Sequence, residues 1–267
     1  MTGTLARVDP RPIGMFDSGF GGLTVARAVI DLLPGENLVY VGDTGRYPYG
    51  SKPLAEVRDH AREITSWLVA EHDVKLVIVA CNTASAAALG ELQADVDVPV
   101  VGVIGTVGTV GSGAYQEAVA AVDATVELTC AACPGFVEFV ERGDTTSDQV
   151  HVLAERLLAP LVDAKIDALL LGCTHYPFLA RTISDVLGPD VVLVSSADET
   201  AFSVRAMLDA SGSSRVAPLS GAPRGATHRW FSSGDVDWFR ELGRRLLGPE
   251  IDTVEPVTWP ASGGGDV

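Results

Sequence analysis

Two cysteines stand in matching company. Cys81 follows the apolar run Leu76-Val77-Ile78-Val79-Ala80 and precedes Asn82 and Thr83, while Cys173 follows Leu169-Leu170-Leu171-Gly172 and precedes Thr174 and His175. Each segment reads as a strand, a small residue, a thiol and then hydrogen-bonding side chains, so each thiol is expected at a strand's carboxyl end. Taken singly, a buried cysteine is more often a small hydrophobe than a reactive group. Two in the same setting point to chemistry. An ordinary thiol, with a pKa of about 8.5, is no more than about a tenth ionised at neutral pH, and modest tuning makes it a base or an acid. Inverting a stereocentre by proton transfer needs both roles at once, one on each face of the carbon, exchanged when the reaction runs backwards. A pair of identical residues has the symmetry that such a reaction asks for.

Other side chains could serve the same site. Phe16-Asp17-Ser18-Gly19-Phe20-Gly21-Gly22-Leu23-Thr24 puts an acid and a hydroxyl at the end of the first strand. Asp17 or Ser18 could simply cap a helix starting near Leu23; alternatively, the carboxylate and nearby backbone N–H groups could hold a substrate's ammonium and carboxylate. Arg46-Tyr47-Pro48-Tyr49-Gly50 is a second such loop, either a carboxylate-binding turn or a plain one. His175, two residues beyond Cys173, is placed to tune that thiol or move its proton. His60, His72, His151 and His228 suit solvated or structural roles. Glu141 closes an apolar helix, where a solvated charge is the ordinary outcome.

Competing chemistries have less to work with. Cys130-Ala131-Ala132-Cys133 is a lone CxxC, and a closed zinc site needs four ligands; no second pair has suitable spacing. A redox disulfide is the other use of that motif, although Pro134-Gly135 reads as a strand end turning into a helix at Phe136. Pyridoxal phosphate requires a Schiff-base lysine, and the three lysines, Lys52, Lys75 and Lys165, carry no phosphate-cup motif beside them. The glycine-rich run from Gly102 to Gly113 matches no dinucleotide fingerprint. Neither a metal nor a cofactor is expected.

The elements that must position these residues follow an alternating plan. Strand-like runs at Ile13 to Phe16, Leu38 to Val41, Leu76 to Ala80, Val98 to Ile104, Leu169 to Leu171 and Val191 to Val194 are separated by helical patterns. That is the signature of an α/β protein with mostly parallel sheets flanked by helices, whose chemistry sits at the carboxyl ends of the strands. Ser211 to Gly225 reads as a surface loop, Trp230-Phe231 as a further strand, Asp235 to Leu247 as a helix, and Ala261 to Val267 as a frayed tail. At 267 residues and 47% hydrophobic composition the chain can bury one large core or two modest ones. A net charge of −16 argues against a phosphate-tracking, nucleic-acid-binding surface. Met1 to Pro12 has no apolar signal core and no run is long enough to span a bilayer, which predicts a cytoplasmic protein with reduced thiols.

Taken together, Phe16 to Thr24, Val41-Gly42-Asp43-Thr44, Pro48-Tyr49-Gly50, Ala80-Cys81-Asn82-Thr83-Ala84-Ser85, Ala132-Cys133-Pro134 and Leu171-Gly172-Cys173-Thr174-His175-Tyr176-Pro177 closely resemble the glutamate racemase family, in order, from about Ile13 to about Val257. The resemblance implies the aspartate/glutamate racemase fold, two pseudo-symmetric α/β domains with a cofactor-free site between them. The first domain is expected over residues 11–97 plus 200–260 and the second over 98–199. It implies Cys81 and Cys173 as acid/base thiols, with Asp17, Glu141 and His175 in support. Asp17, Ser18, Tyr49, Gly50, Asn82, Thr83, Thr106, Thr109, Thr174 and His175 are the implied substrate contacts. The implied product, D-glutamate, feeds peptidoglycan synthesis. Implied partners are a second copy of the chain and, in a regulatory alternative, DNA gyrase; aspartate and hydantoin racemases are the alternative enzymes. In one respect the chain departs from the pattern. Val98 to Ile104 runs straight into Gly105-Thr106, leaving the second domain short of one βα unit, a loss that should uncover part of a sheet face and lower stability or activity.

Overall fold

The computed structural model describes residues 9–85, 87–88, 100–102, 128–215 and 225–260. Two parallel sheets organise them. The larger has six strands in the order β4-β3-β1-β2-β7-β8: β1 Ile13–Asp17, β2 Leu38–Gly42, β3 Leu76–Val79, β4 Val100–Gly102, β7 His228–Ser232 and β8 Glu255–Pro256. Its central strands read IGMFD, LVYVG and LVIV and are buried along their whole length. Such unbroken apolar runs are what a parallel sheet covered on both faces requires.

The two-residue alternation of a strand sorts these side chains between two cores. Ile13, Met15, Leu38, Tyr40, Ile78 and Trp230 face α1 (Leu23–Leu32), α6 (Ser196–Ser211) and α7 (Val236–Leu246). Phe16, Val39, Val41, Val77, Val79 and Phe231 face α2, Leu54–His72. The expected helix at Asp235 is capped by that residue, whose Oδ1 accepts the Asp237 and Trp238 N–H groups at 2.9 Å each. A buried ion pair closes the opposite end of the sheet: Lys75 Nζ lies 2.6 Å from Glu36 Oε2 and also donates to the carbonyls of Asp9 and Ser213.

The smaller sheet pairs β5 (Ala168–Leu171) with β6 (Val192–Ser195) in parallel register. Its core gathers Leu171 with apolar residues of α3 (Phe136–Glu141), α4 (Asp148–Ala164) and α5 (Ala180–Leu187), among them Phe136, Val140, Leu158 and Ile183. The opposite face carries exposed apolar side chains. Leu170 and its register partner Val194 are 44% and 36% exposed, and Val192 is 62% exposed. The strand β4 lies just past the boundary expected at residue 98, and it pairs with β3 through Val77, Ile78 and Val79 as part of the larger sheet.

The residues of the glycine-rich run beyond Gly102, the place of the shortened unit and the tail at 261–267 lie outside the described residues, as does most of the loop expected over Ser211 to Gly225. Among the described residues no helix is long and apolar enough to cross a membrane.

Candidate active site

The carboxyl ends of β1, β2 and β3 meet at one edge of the larger sheet, where Asp17, Asp43 and Cys81 emerge. Cys81 is held in place from both sides: Ala80 N–H donates to the Phe16 carbonyl at 2.8 Å, and the Ser85 N–H closes onto the Cys81 carbonyl at 2.8 Å as the chain turns helical. Its Sγ sits 3.6 Å from Ser18 Oγ. Burial, reinforced by the nearby negative charge of Asp17, pushes the Cys81 pKa up to about 12. It therefore stands as a thiol, ready to give a proton.

Asp17 has a structural duty as well as a place in the site. Its Oδ2 accepts the N–H groups of Gly22 at 2.9 Å and Gly19 at 3.3 Å, tying down the loop ahead of α1. Asp17 does not cap the helix itself, whose N-cap is Gly22 with no side-chain hydrogen bond. Burial raises its pKa, against the pull of a charged His175 and of the Gly22 N–H. Asp17 also lies within electrostatic reach of Cys81.

On the facing lobe, Cys173 follows β5 and is buried, with Sγ 3.9 Å from His175 Nδ1. His175 Nε2 is 3.0 Å from Glu141 Oε1. Burial opposes a charge on His175, but the hydrogen bonds to Cys173 and Glu141 outweigh it and raise the pKa to about 10. The ring is then an imidazolium, donating from both nitrogens. Glu141 departs from the solvated charge expected at a helix end: it is only 6% exposed. A buried carboxylate persists where it has a partner, and His175 supplies one.

Two glycines let the lobes approach. A Cβ added at Gly21 would lie 2.2 Å from His175 Nδ1 and 2.4 Å from Thr174 Oγ1, and one added at Gly19 would lie 2.9 Å from Glu141 Oε1. Thr24 Oγ1 donates to the Thr174 carbonyl at 2.9 Å, a direct tie between α1 and the Cys173 loop. Asp17, Ser18 and Cys81 thus gather at the end of the larger sheet, and Glu141, Cys173, Thr174 and His175 on the facing lobe, with Ser18, Asn82 and Thr174 buried.

The Tyr49–Gly50 turn is the other wall. The Tyr49 hydroxyl donates to Asp43 Oδ2, so the side chain is committed and only its backbone is left for another partner. At Gly50 an added Cβ would meet nothing within 4 Å, which leaves that backbone open to approach. Sequence reasoning assigned no role to Asp43. It is fully buried and also accepts from Arg46 Nε at 2.8 Å, Ser233 Oγ at 2.5 Å and Trp259 Nε1 at 2.8 Å. The Arg46 guanidinium further lies over the Trp259 ring at 4.9 Å and bonds Glu63 at 2.6 Å. Only the short polar run after β2 hinted at this hub, since two of its four donors come from far along the chain.

Thr106 and Thr109 lie outside the described residues. Of the two CxxC thiols, Cys133 is buried and Cys130 partly exposed, both free; Gly135, at φ +95°, turns the chain into α3 at Phe136 as anticipated, but the segment before it, 128–133, is irregular rather than the expected strand. The lysines are occupied elsewhere: Lys75 in its buried pair, Lys52 with Glu56 at 2.5 Å, and Lys165 as the left-handed cap of α4.

Comparison with known proteins agrees with this geometry. The family described as Asp/Glu/Hydantoin racemase matches residues 101–202. The glutamate racemase of Acidothermus cellulolyticus is 50% identical, covering 91% of this chain and 97% of its own length. That alignment spans 262 positions while using 91% of 267 residues, so the relative carries positions without a counterpart here. Among solved structures, glutamate racemase from Thermus thermophilus in complex with β-chloro-D-alanine is 42% identical with a TM-score of 0.79, covering 94% of this chain and 98% of that one. Glutamate racemase from Francisella tularensis in complex with D-glutamate is 30% identical with a TM-score of 0.82, over the same shares. With identity of this level over nearly the whole length, the chain belongs to the glutamate racemase family.

Proposed function

We propose that this chain interconverts L- and D-glutamate, with Cys81 and Cys173 as the two proton carriers. The observation that carries the reading is the pair of buried thiols at equivalent strand ends, each with its own partner, Ser18 for Cys81 and His175 for Cys173. An α-proton of an amino acid is weakly acidic, so the transition state needs a base on one face and an acid on the other in the same site. Cys81, kept protonated by burial and Asp17, supplies the acid in the resting protein. A charged His175 gives the sulfur of Cys173 a positive neighbour and a proton source, and Glu141 holds that imidazole by Nε2. In the reverse direction the thiols exchange roles.

The rest of the site would hold the substrate. Backbone at Tyr49 and Gly50, with Ser18, Asn82, Thr83 and Thr174, surrounds the place where its carboxylates and ammonium would bind, and Thr106 and Thr109 complete the set by resemblance. We take the two sheets with their helices as the two lobes of this site, in the cytoplasm, with D-glutamate supplied to peptidoglycan synthesis. A homodimer and DNA gyrase complete the partners of this reading; molar mass in solution by sedimentation equilibrium tests the first, and supercoiling inhibition by a Cys81→Ser, Cys173→Ser protein tests the second independently of turnover.

The test of function is α-proton exchange and loss of optical rotation with each enantiomer of glutamate, without added cofactor. Wild type should racemise and each single cysteine-to-serine variant should not. Turnover of aspartate or a hydantoin in place of glutamate would move the assignment within the matched family, whose description spans all three. Full activity in either serine variant would reject the two-thiol mechanism.

A further inference from the structure

The stretch Cys173-Thr174-His175 leads directly into a tight 3-10 turn, Tyr176–Leu179. In such a turn a carbonyl accepts from the N–H three residues further on. The Cys173 carbonyl takes the Tyr176 N–H at 3.0 Å, and the His175 carbonyl takes the Phe178 N–H at 3.2 Å. Thr174, between them, would draw its donor from residue 177. That residue is proline, which has no N–H to give. Thr174 is buried, so its carbonyl needs a partner from elsewhere.

The partner comes from the other lobe. Thr24, in the first turn of α1, donates its hydroxyl to that carbonyl at 2.9 Å, from 150 residues away in the chain. The same hydroxyl lies 2.9 Å from the Gly21 carbonyl, but it has only one hydrogen to share. Gly21 is already supplied by the Thr24 N–H at 3.1 Å, so the hydroxyl hydrogen is needed at Thr174. Both ends of this bond are anchored. Leu23, Val25 and Ala26 around Thr24 are fully buried in the core of the larger lobe, and Phe178, just past the proline, packs against the cores of both lobes. The carbonyl so held belongs to the peptide plane between Thr174 and His175, one residue from the Cys173 thiol that stands 3.9 Å from the His175 ring.

We propose that Thr24 is a positioning residue for the proton transfer at Cys173: its hydroxyl takes the one carbonyl of the Cys173 loop that Pro177 leaves without a local donor, and so pins the backbone carrying Cys173 and His175 to the opposite lobe. This rests on the racemase reading above. Thr24 acts through the Thr174 backbone, and the proline and the threonine, far apart in sequence, are two halves of one device.

Thr24→Val removes the hydroxyl and keeps the branched shape, whereas Thr24→Ser keeps the hydroxyl. Polarimetry with glutamate, run below the melting transition of each variant, should show kcat/KM about tenfold lower in Thr24→Val and within about twofold of wild type in Thr24→Ser. Pro177→Ala restores an N–H three residues beyond the Thr174 carbonyl. In that background Thr24→Val should cost less than about threefold, a coupling that a double-mutant cycle reads directly. Turnover of Thr24→Val within about twofold of wild type, even with a lower Tm, overturns the proposal, since the contact would then only stabilise the fold. So does a Thr24→Ser protein as slow as Thr24→Val, or an undiminished loss in the Pro177→Ala background. If wild type exchanges no α-proton of glutamate, the racemase reading fails instead, a separate result.

Discussion

Gly21→Ala adds a single methyl group where the larger lobe passes the His175 ring. The backbone of Gly21 has no left-handed φ, so alanine meets no conformational objection and the effect is steric. The new Cβ would lie 2.2 Å from Nδ1 and 2.4 Å from Thr174 Oγ1, where ordinary contact begins at 3.4 Å. Relief therefore requires about 1.2 Å of movement in the imidazole, the loop at Gly21, or both. The ring cannot move that far and keep both its 3.0 Å contact with Glu141 and its 3.9 Å approach to Cys173. Misplacing a catalytic group by roughly 1 Å costs on the order of 100-fold in rate, which is about 2.7 kcal/mol in the barrier. Overpacking adds a stability cost of about 1–3 kcal/mol, or a Tm lower by roughly 3–10 °C for a domain of this size. Polarimetry with each enantiomer, run well below the melting transition of the variant, separates the two effects. A folded Gly21→Ala protein with kcat/KM within about threefold of wild type would refute the claim that this glycine is held by the packing of His175.

Two further perturbations probe the same site from its edges. His175 has its pKa raised to about 10 from an ordinary 6.5, so its contribution to stability is complete below about pH 6.5 and is lost as pH rises through 10. Melting temperature should accordingly fall between pH 7 and 10.5, and fall less in His175→Asn, as differential scanning calorimetry would show; parallel curves would contradict a charged His175. At the other wall, Trp259→Phe removes one of the donors to buried Asp43, a charged hydrogen bond worth about 1.5–3 kcal/mol. Steady-state kinetics should show a larger rise in KM than fall in kcat, because the Tyr49–Gly50 turn loosens while the thiols stay in place, and an unchanged KM would count against that anchoring.

What the sequence disclosed follows from which forces act locally. Strand runs such as IGMFD and LVYVG are buried on both faces, so their unbroken apolarity was readable, and the thiols could be placed because a strand's carboxyl end is marked by the run stopping. Glu141 was placed in the site by family resemblance alone, for the opposite reason: nothing within a few residues of it reveals that His175, far along the chain, will cover it. Asp43 lies in a visible motif, yet Ser233 and Trp259 reach it from some two hundred residues away. The domain boundary was hardest to place, since β4 contributes only three residues to an edge of the larger sheet.

In the proposed reaction the two thiols do the same job from unlike surroundings: Cys81 has a hydroxyl and the carboxylate of Asp17 for company, Cys173 an imidazole backed by Glu141. Mirror-image substrates have equal free energies, so the equilibrium constant is fixed at unity and kcat/KM must be the same in the two directions. A lopsided site cannot favour one enantiomer by that measure. Its asymmetry can only surface as kcat and KM rising or falling together from one hand of the substrate to the other, which makes the catalyst even-handed when dilute and biased when saturated.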